Sequence, residues 1–312
     1  MKVLCTGGSG FIGSHVVDLL VAQGYETYVL QSGFRSVKHP NLVKNVKIIH
    51  GDLLDSELLN VATENMDAVI HCGAILSHYA EKFPELTFDV NVKGTWNLKK
   101  ACYKNNVKRM IMASTSYVYG EPNVTPIHEQ LPLMPKDNFG VSKLAAEKIL
   151  QATRPYQVPY TILRLFNVYG PRAYIDELYT QVITTYILTA LQAKSLEIHD
   201  DGTQELDFVY VKDVARAFCD CLSEKAENKI FNVGSGKSTS INDLASTINA
   251  LTNNLTPSHY NPNHPAYLKR VQADVRSIKN SLGWTPKYDL KEGLKETISF
   301  FSQDKQYAQK ED

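Results

Sequence analysis

The stretch "KVLCTGGSGFIGSHVVDLL", residues 2–20, decides how the rest of the chain is read. Its first five residues, 2–6, are short and mostly apolar, as a buried strand is. From residue 11 the run "FIGSHVVDLLVAQ" carries apolar side chains at helical spacing. Gly7, Gly10 and Gly13 stand across the junction in the pattern GxxGxxG. A glycine triplet alone is weak evidence. One that leaves a strand and opens a helix is stronger. There the backbone must turn tightly, and the unpaired N–H groups and dipole of the helix start favour an anion. The stretch therefore predicts a turn that receives a dinucleotide pyrophosphate.

Working outward, "ETYVL" (26–30), "VKIIH" (46–50), "DAVIHC" (67–72), "RMIMAS" (109–114) and "YTILRL" (160–165) read as further strands. Amphipathic stretches lie between most of them, among them "TFDVNVKGTWNLKKACYKN" (87–105) and "VSKLAAEKILQAT" (141–153). Strands that are apolar throughout are buried on both faces, which calls for helices on both sides of a parallel sheet. The expected fold is α/β, a Rossmann-like doubly wound parallel sheet. After residue 165 the alternation breaks, and "NPNHPAYLKR" (261–270) reads as loop. "DFVYVKDVARAFCDCL" (207–222) and "KIFNVG" (229–234) still match the first part. The chain is thus expected to divide into a dinucleotide-binding domain, 1–165 plus 208–233, and a smaller interleaved C-terminal substrate domain, 166–207 plus 234–312.

Lys and Arg together number 33, as do Asp and Glu, so the formal net charge is zero. That balance gives no electrostatic footprint for nucleic acid or an anionic membrane. No 18-residue apolar run predicts a spanning helix, and Met1-Lys2 leads into "VLCTGG" without a signal-peptide core. Cys5, Cys72, Cys102, Cys219 and Cys221 lack the spacing of a disulfide framework or a metal chelate. They are expected to be reduced thiols in a cytoplasmic protein. At the end of the second strand stands Gln31, where an NAD site prefers a carboxylate. Gln31 can bond a ribose hydroxyl without repelling a 2′-phosphate, and Arg35 can pair with one. NAD and NADP both remain open.

Several motifs occur in order: "TGGSGFIGSH" (6–15), "GDLLD" (51–55), "NVKGTWNL" (91–98), "STSYVYG" (114–120), "FGVSK" (139–143), "RLFNVYGPR" (164–172), "DGTQELDFVYVKDVA" (201–215) and "LGWTPKY" (282–288). Through them the whole chain resembles the extended short-chain dehydrogenase/reductase family, in particular its NAD(P)-dependent nucleotide-sugar epimerases and dehydratases. The resemblance implies a homodimer built on two long helices, near 85–106 and 138–153. It implies cofactor contacts at Phe11, Ile12, Leu53, Cys72, Ala74 and Asn91 besides the glycines and Gln31. Asp52 is expected to meet the adenine amine, and His71 to line the site. Substrate contacts are implied at Thr115, Asn167 and Arg172.

In that family a YxxxK pair carries the chemistry, the tyrosine as acid/base and the lysine holding the nicotinamide ribose. Lys143 is the lysine here, and Thr115 is the hydroxyl that shares the substrate's hydrogen bond. The tyrosine position is Phe139. A phenyl ring keeps the packing and removes the proton carrier, a role typically worth about 10² to 10⁴ in rate. Three readings follow: a substitution introduced to trap a ligand, an acid/base relocated to Tyr117, or a protein that binds without turnover.

Ser116 and Tyr117 occupy the places of the Asp-Glu pair of 4,6-dehydratases, and decarboxylating relatives keep a glutamate where Tyr117 stands. The remaining motif fits epimerisation at C4 of a nucleotide-activated sugar best. An NAD(P)H-dependent keto-sugar reductase, a dehydratase-type relative and a silent sugar-nucleotide binder are the alternatives. Two arginines that hold the pyrophosphate in relatives are replaced by Leu206 and His264. His264, Lys269 and Arg270 are candidates to compensate.

Overall fold

A computed structural model describes residues 1–32, 45–175, 181–263 and 270–303. The strands are β1 (Lys2–Thr6), β2 (Glu26–Gln31), β3 (Val46–His50), β4 (Ala68–His71), β5 (Arg109–Thr115), β6 (Tyr160–Leu165), β7 (Asn167–Tyr169), β8 (Glu197–His199), β9 (Glu205–Leu206), β10 (Phe208–Tyr210), β11 (Lys229–Val233), β12 (Thr239–Ser240) and β13 (His259–Asn261). Seven of them form one sheet in the order β11-β6-β5-β4-β1-β2-β3. Every neighbouring pair in it is parallel. The order reverses at β1, between β2 and β4. In a doubly wound sheet that reversal opens a crevice beyond the carboxyl ends of the strands.

Helices cover both faces, as strands buried on both sides require. They are α1 (Phe11–Ala22), α2 (Ser56–Ala62), α3 (Ser77–Lys82), α4 (Pro84–Phe88), α5 (Gly94–Lys104), α6 (Asn138–Gln151), α7 (Val182–Leu191), α8 (Val211–Asp220), α9 (Ile241–Thr252), α10 (Arg276–Leu282) and α11 (Leu290–Gln303). Strand alternation sends Val3 and Cys5 of β1 into one core with Val16, Val17 and Leu20 of α1 and Phe218 of α8. Leu4, between them, enters the opposite core with Leu59 of α2, Leu98 of α5 and Leu150 of α6. The stretch expected as one helix over 87–105 is α4 followed by a π-helical turn, Asp89–Lys93, and then α5.

The later part of the chain adds three two-stranded pairings, β10-β7, β12-β9 and β13-β8. Buried carboxylates fasten these pieces. Asp207 accepts hydrogen bonds from the backbone N–H groups of Ser235 (2.6 Å), Gly236 (3.0 Å) and Ala273 (3.0 Å). Asp213 accepts from those of Lys287 and Tyr288, and its carbonyl takes the indole N–H of Trp284 at 3.1 Å. Among the described residues no helix is long and apolar enough to cross a membrane.

Candidate active site

The glycine turn forms because three backbones come too close for side chains. Gly7 has φ +67°, and a Cβ there would stand 2.6 Å from the Gly73 nitrogen. A Cβ on Gly13 would stand 2.1 Å from the Gly7 carbonyl oxygen. The Gly10 N–H donates to that same carbonyl at 3.0 Å. Gly10 caps α1 without a side-chain acceptor, and the first turn holds no acidic residue. The helix start is left electropositive toward the space in front of it. Tyr174 reaches this turn from the far side, its hydroxyl 2.7 Å from where a Gly10 Cβ would lie.

A cavity of about 570 Å³ opens here, at the carboxyl ends of β1 to β6. Gly7, Gly10, Phe11, Ile12 and Gly13 form one wall. Gln31, Asp52 and Leu53 line the end beside β2 and β3, where Asp52 Oδ1 accepts from the Leu54 N–H at 2.9 Å. Cys72 and Ala74 follow β4. Thr115 and Tyr117 come from the end of β5 and the turn after it, Phe139 and Lys143 from α6, and Asn167 from β7. The spacing of 139 and 143, one helical turn, puts both on the cavity side of α6.

Lys143 is 3% exposed. Burial lowers its pKa to about 8, with Cys72 and Glu147 pulling the other way. Among the described residues no hydrogen-bond or salt-bridge partner meets its ammonium. Thr115 caps the short helix Ser116–Tyr119, its Oγ1 accepting from the Tyr117 N–H at 3.2 Å. That leaves the Thr115 proton available to a ligand. The rings of Tyr117 and Phe139 meet edge to face, 5.9 Å apart at 75°.

Behind the cavity His71 sits in a relay whose directions follow from its ends. Thr95 Oγ1 donates to the Asn91 carbonyl at 2.6 Å, so it accepts from His71 Nε2–H at 3.0 Å. Thr6 Oγ1 accepts from the Gly73 N–H at 3.3 Å and donates to the bare His71 Nδ1 at 2.7 Å. The imidazole is neutral, its pKa lowered to about 3 by burial and then by the Lys143 charge. With both nitrogens occupied it joins the end of β1 to α5 and carries no proton traffic.

Three expected contacts are not brought to the cavity. Asn91 is buried in the π-helical turn. Its amide accepts from the Ile75 N–H at 2.8 Å and donates to the Ile75 carbonyl and to Ser142 Oγ, each at 3.0 Å. It therefore fastens the loop after β4 from behind. Arg172 adopts φ +66° and turns back to α1, where its guanidinium pairs with Asp18 at 2.6 Å. His15 bonds the neighbouring Pro171 carbonyl at 2.9 Å, fixing the same turn. Arg270 is an exposed side chain paired with Glu205 at 3.0 Å. Leu206 does line the cavity. Arg35, His264 and Lys269 lie outside the described residues.

Two features escaped the sequence reading. Glu147, four residues beyond Lys143 and so on the same side of α6, is fully buried and organises the end of β5. Its helical spacing from Lys143 was a usable signal. Tyr174 had none, because only the fold brings it to Gly10. Among the described residues no group of three or more His, Cys, Asp or Glu side chains is placed to hold a metal, and all five cysteines are free thiols.

A glycine cradle in which Gly7 and Gly13 leave no room for a Cβ, an uncapped helix start and a buried ammonium without a partner among the described residues are what a dinucleotide with a reactive ring needs at its two ends. The residues fit such a group. A profile of the NAD dependent epimerase/dehydratase family matches residues 3–234. The UDP-N-acetyl-alpha-D-glucosaminuronate decarboxylase of Bacillus cytotoxicus is 33% identical, over 96% of this chain and 97% of its own. The UDP-glucose 4-epimerase of Halalkalibacterium halodurans is 32% identical, over 92% and 91%. The crystal structure of Thermotoga maritima UDP-glucose 4-epimerase with UDP-glucose superposes with a TM-score of 0.91, covering 97% of this chain and 99% of that one at 32% identity. The chain belongs to the NAD-dependent epimerase/dehydratase family of enzymes.

Proposed function

We propose that this chain is an epimerase acting at C4 of a nucleotide-activated sugar, with NAD as its resident dinucleotide. The observation that carries the proposal is the buried ammonium of Lys143, which meets no hydrogen-bond or salt-bridge partner among the described residues and lines, with Thr115, the cavity that also contains the glycine cradle. NAD is preferred because the family to which the chain belongs is NAD dependent. In this reading 1–165 plus 208–233 bind the dinucleotide, and 166–207 plus 234–312 bind the sugar nucleotide. The protein is cytoplasmic and a homodimer, joined through the α4–α5 and α6 faces that expose Phe88, Tyr103 and Val141.

Gly7, Gly10 and Gly13 would take the pyrophosphate and Gln31 and Asp52 the adenosine end. Lys143 would hold the nicotinamide ribose. When bound, the dinucleotide supplies a hydride acceptor that later returns the hydride. The chain's own contribution is positioning and charge. Thr115 would hold the sugar oxygen at the reacting carbon by donating a hydrogen bond to it, and the Lys143 charge would stabilise negative charge that develops on that oxygen in a site of low dielectric. Phe139 packs against the sugar ring and moves no proton. An epimerase requires only that the keto-sugar turn over within the site, and among the described cavity residues none beside Tyr117 is a carboxylate of the kind dehydration needs.

The test is conversion of UDP-glucose, UDP-galactose and their N-acetylated forms, and of the thymidine counterparts, by this chain and by Phe139→Tyr. Bound dinucleotide is extracted and identified alongside. Interconversion of C4 epimers by either protein, without consumption of added cofactor, supports the proposal. Stoichiometric oxidation of NADH or NADPH would replace it with a keto-sugar reductase. Sugar binding without turnover in both proteins would replace it with a silent binder.

A further inference from the structure

We propose that the Tyr174 hydroxyl is a ligand of the dinucleotide's pyrophosphate, closing over it from the side opposite the start of α1 and keeping it resident. The inference rests on the dinucleotide half of the reading above. The first bond of α1 runs from the Ser14 N–H to the Gly10 carbonyl at 2.9 Å, so the N–H groups of residues 11–13 take no bond within the helix. No side-chain cap or acidic residue covers them. Tyr174 lines the same cavity, and its oxygen lies 2.7 Å from the point that a Gly10 Cβ would occupy. A phosphate oxygen that approaches the helix start through the space left by that missing side chain comes within the reach of an O–H···O bond, about 2.5 to 3.0 Å. The helix then donates from one side and the phenol from the other. A phenol hydroxyl both accepts and donates and rotates to suit, so it can turn its proton to a phosphate whatever else it touches.

Tyr174 is brought there by a turn tied to the same helix. Gly170 has φ +151°, and a Cβ on it would stand 2.4 Å from Val211 Cγ1, so the turn packs closely on the start of α8. Ala173 is buried, and its N–H donates to the Gly170 carbonyl at 3.4 Å. His15 Nε2–H donates to the Pro171 carbonyl at 2.9 Å, and Arg172 pairs with Asp18 at 2.6 Å. His15 and Asp18 are three residues apart on α1, hence on one side of it. The helix that offers its N–H groups therefore also carries two anchors of the turn. The Tyr174 ring packs partly against the core. Packing accounts for the ring, and the anion site accounts for a polar end held against bare backbone in the cavity.

Residence is a chemical requirement of epimerisation. The hydride taken from C4 must return to the same sugar, so loss of the reduced dinucleotide between the two transfers would strand a keto-sugar. A hydroxyl at the pyrophosphate slows that loss without touching the nicotinamide ring or the sugar. Tyr174 is thus a binding residue, and chemistry at C4 does not pass through it.

The experiment compares the chain with Tyr174→Phe, which keeps the ring. The cofactor-free proteins are titrated by calorimetry with NAD, with ADP-ribose, which keeps the pyrophosphate and lacks the nicotinamide, and with adenosine, which lacks both. One hydrogen bond to a charged group is removed, so NAD and ADP-ribose should each bind about ten- to hundredfold more weakly. Adenosine should bind within about twofold of the parent, and thermal unfolding without ligand should be unchanged. NAD should also dissociate faster in stopped flow, since affinity losses of this kind fall mainly on the off-rate. NAD affinity within about threefold of the parent's overturns the inference. Tighter binding does so too, because the side chain would then block the site. An equal loss for adenosine, or a loss for NAD with ADP-ribose unchanged, overturns it by placing the effect away from the pyrophosphate. A parent that binds NAD with the help of Tyr174 yet interconverts no C4 epimers leaves the inference standing and removes the epimerase reading. A parent that binds neither NAD nor ADP-ribose overturns both.

Discussion

The carboxylate of Glu147 meets the guanidinium of Arg164 fork to fork, Nε to Oε1 at 3.0 Å and Nη2 to Oε2 at 2.8 Å, with neither side chain more than 2% exposed. Ser114 Oγ adds a bond to Oε1 at 2.5 Å. Arg164 Nη1 continues to the Tyr119 hydroxyl at 2.9 Å, and that hydroxyl donates to Asn232 at 2.7 Å. The network ties the α6 turn that carries Lys143 to the ends of β5, β6 and β11. Its position makes it a structural support for Lys143 and Thr115, which flank it on α6 and β5.

Removing one partner strands the other as an uncompensated buried charge. Arg164→Met is therefore expected to lose about 3 to 5 kcal/mol of unfolding free energy. Replacing both, Arg164→Met with Glu147→Leu, should lose clearly less than the single change, because no lone charge remains. Urea unfolding of the two proteins checks this. A single variant within 1 kcal/mol of the parent, or a double as poor as the sum, would show that the pair contributes otherwise.

His71 predicts an acid-side weakness. Its pKa is about 3 in the folded chain and about 6.5 when unfolded. Between those values the unfolded chain binds the extra proton, so stability falls as pH falls from 6.5. At pH 5 the loss from this residue is about 2 kcal/mol relative to pH 7. His15, lowered to about 4 chiefly by burial, acts with the same sign between 6.5 and 4. His71→Gln keeps one donor and one acceptor but cannot be charged. Its unfolding free energy should change by about 2 kcal/mol less between pH 7 and 5 than the parent's. An equal slope in both would exclude His71 as the source.

What could be read from the sequence was what lay close together along the chain. "KVLCT" is β1, and the helix after the glycines runs to Ala22. Lys143 and Phe139 share a cavity because helical spacing demands it. What the sequence did not show lay at long range. Arg172 resembled a substrate contact in "RLFNVYGPR", yet a left-handed backbone turns it to Asp18, 154 positions earlier, and no local pattern announces that pairing. Asn91 sits in a π-helical turn, whose extra residue per turn moves its amide away from the face that α-helical spacing assigns. Asp207, beside the substituted Leu206, is buried as a fastening for three backbone N–H groups.

Lys143 exchanges stability for function. Because its folded pKa, about 8, lies below the ordinary lysine value of about 10.4, the charged form is disfavoured by folding. That cost, on the order of 3 kcal/mol, is present below pH 8 and relieved as pH rises toward 10. Lys143→Met should raise the unfolding free energy of the cofactor-free protein at pH 7 by about 1 to 3 kcal/mol. It should also remove the parent's rise in stability between pH 8 and 10, while abolishing retention of NAD on gel filtration. A variant that is less stable than the parent would mean the ammonium has a partner that favours the fold.

The glycine turn separates strain from occupancy. A Cβ on Gly13 meets backbone on two sides, the Gly7 oxygen at 2.1 Å and the Gly8 Cα at 2.9 Å, so the turn itself must open. A Cβ on Gly10 meets chiefly the Tyr174 hydroxyl at 2.7 Å, the end of a side chain that can rotate away, and the Gly7 oxygen only at 3.2 Å. Gly13→Ala should therefore destabilise the cofactor-free protein by about 2 kcal/mol or more, as overpacking does. Gly10→Ala should stay within about 1 kcal/mol of the parent, yet weaken NAD binding at least tenfold, because its methyl fills the place of approach to the helix start. Thermal unfolding without cofactor, set against NAD titration by calorimetry, distinguishes the two. If Gly10→Ala bound NAD as the parent does, the pyrophosphate would have to lie elsewhere than in front of Gly10.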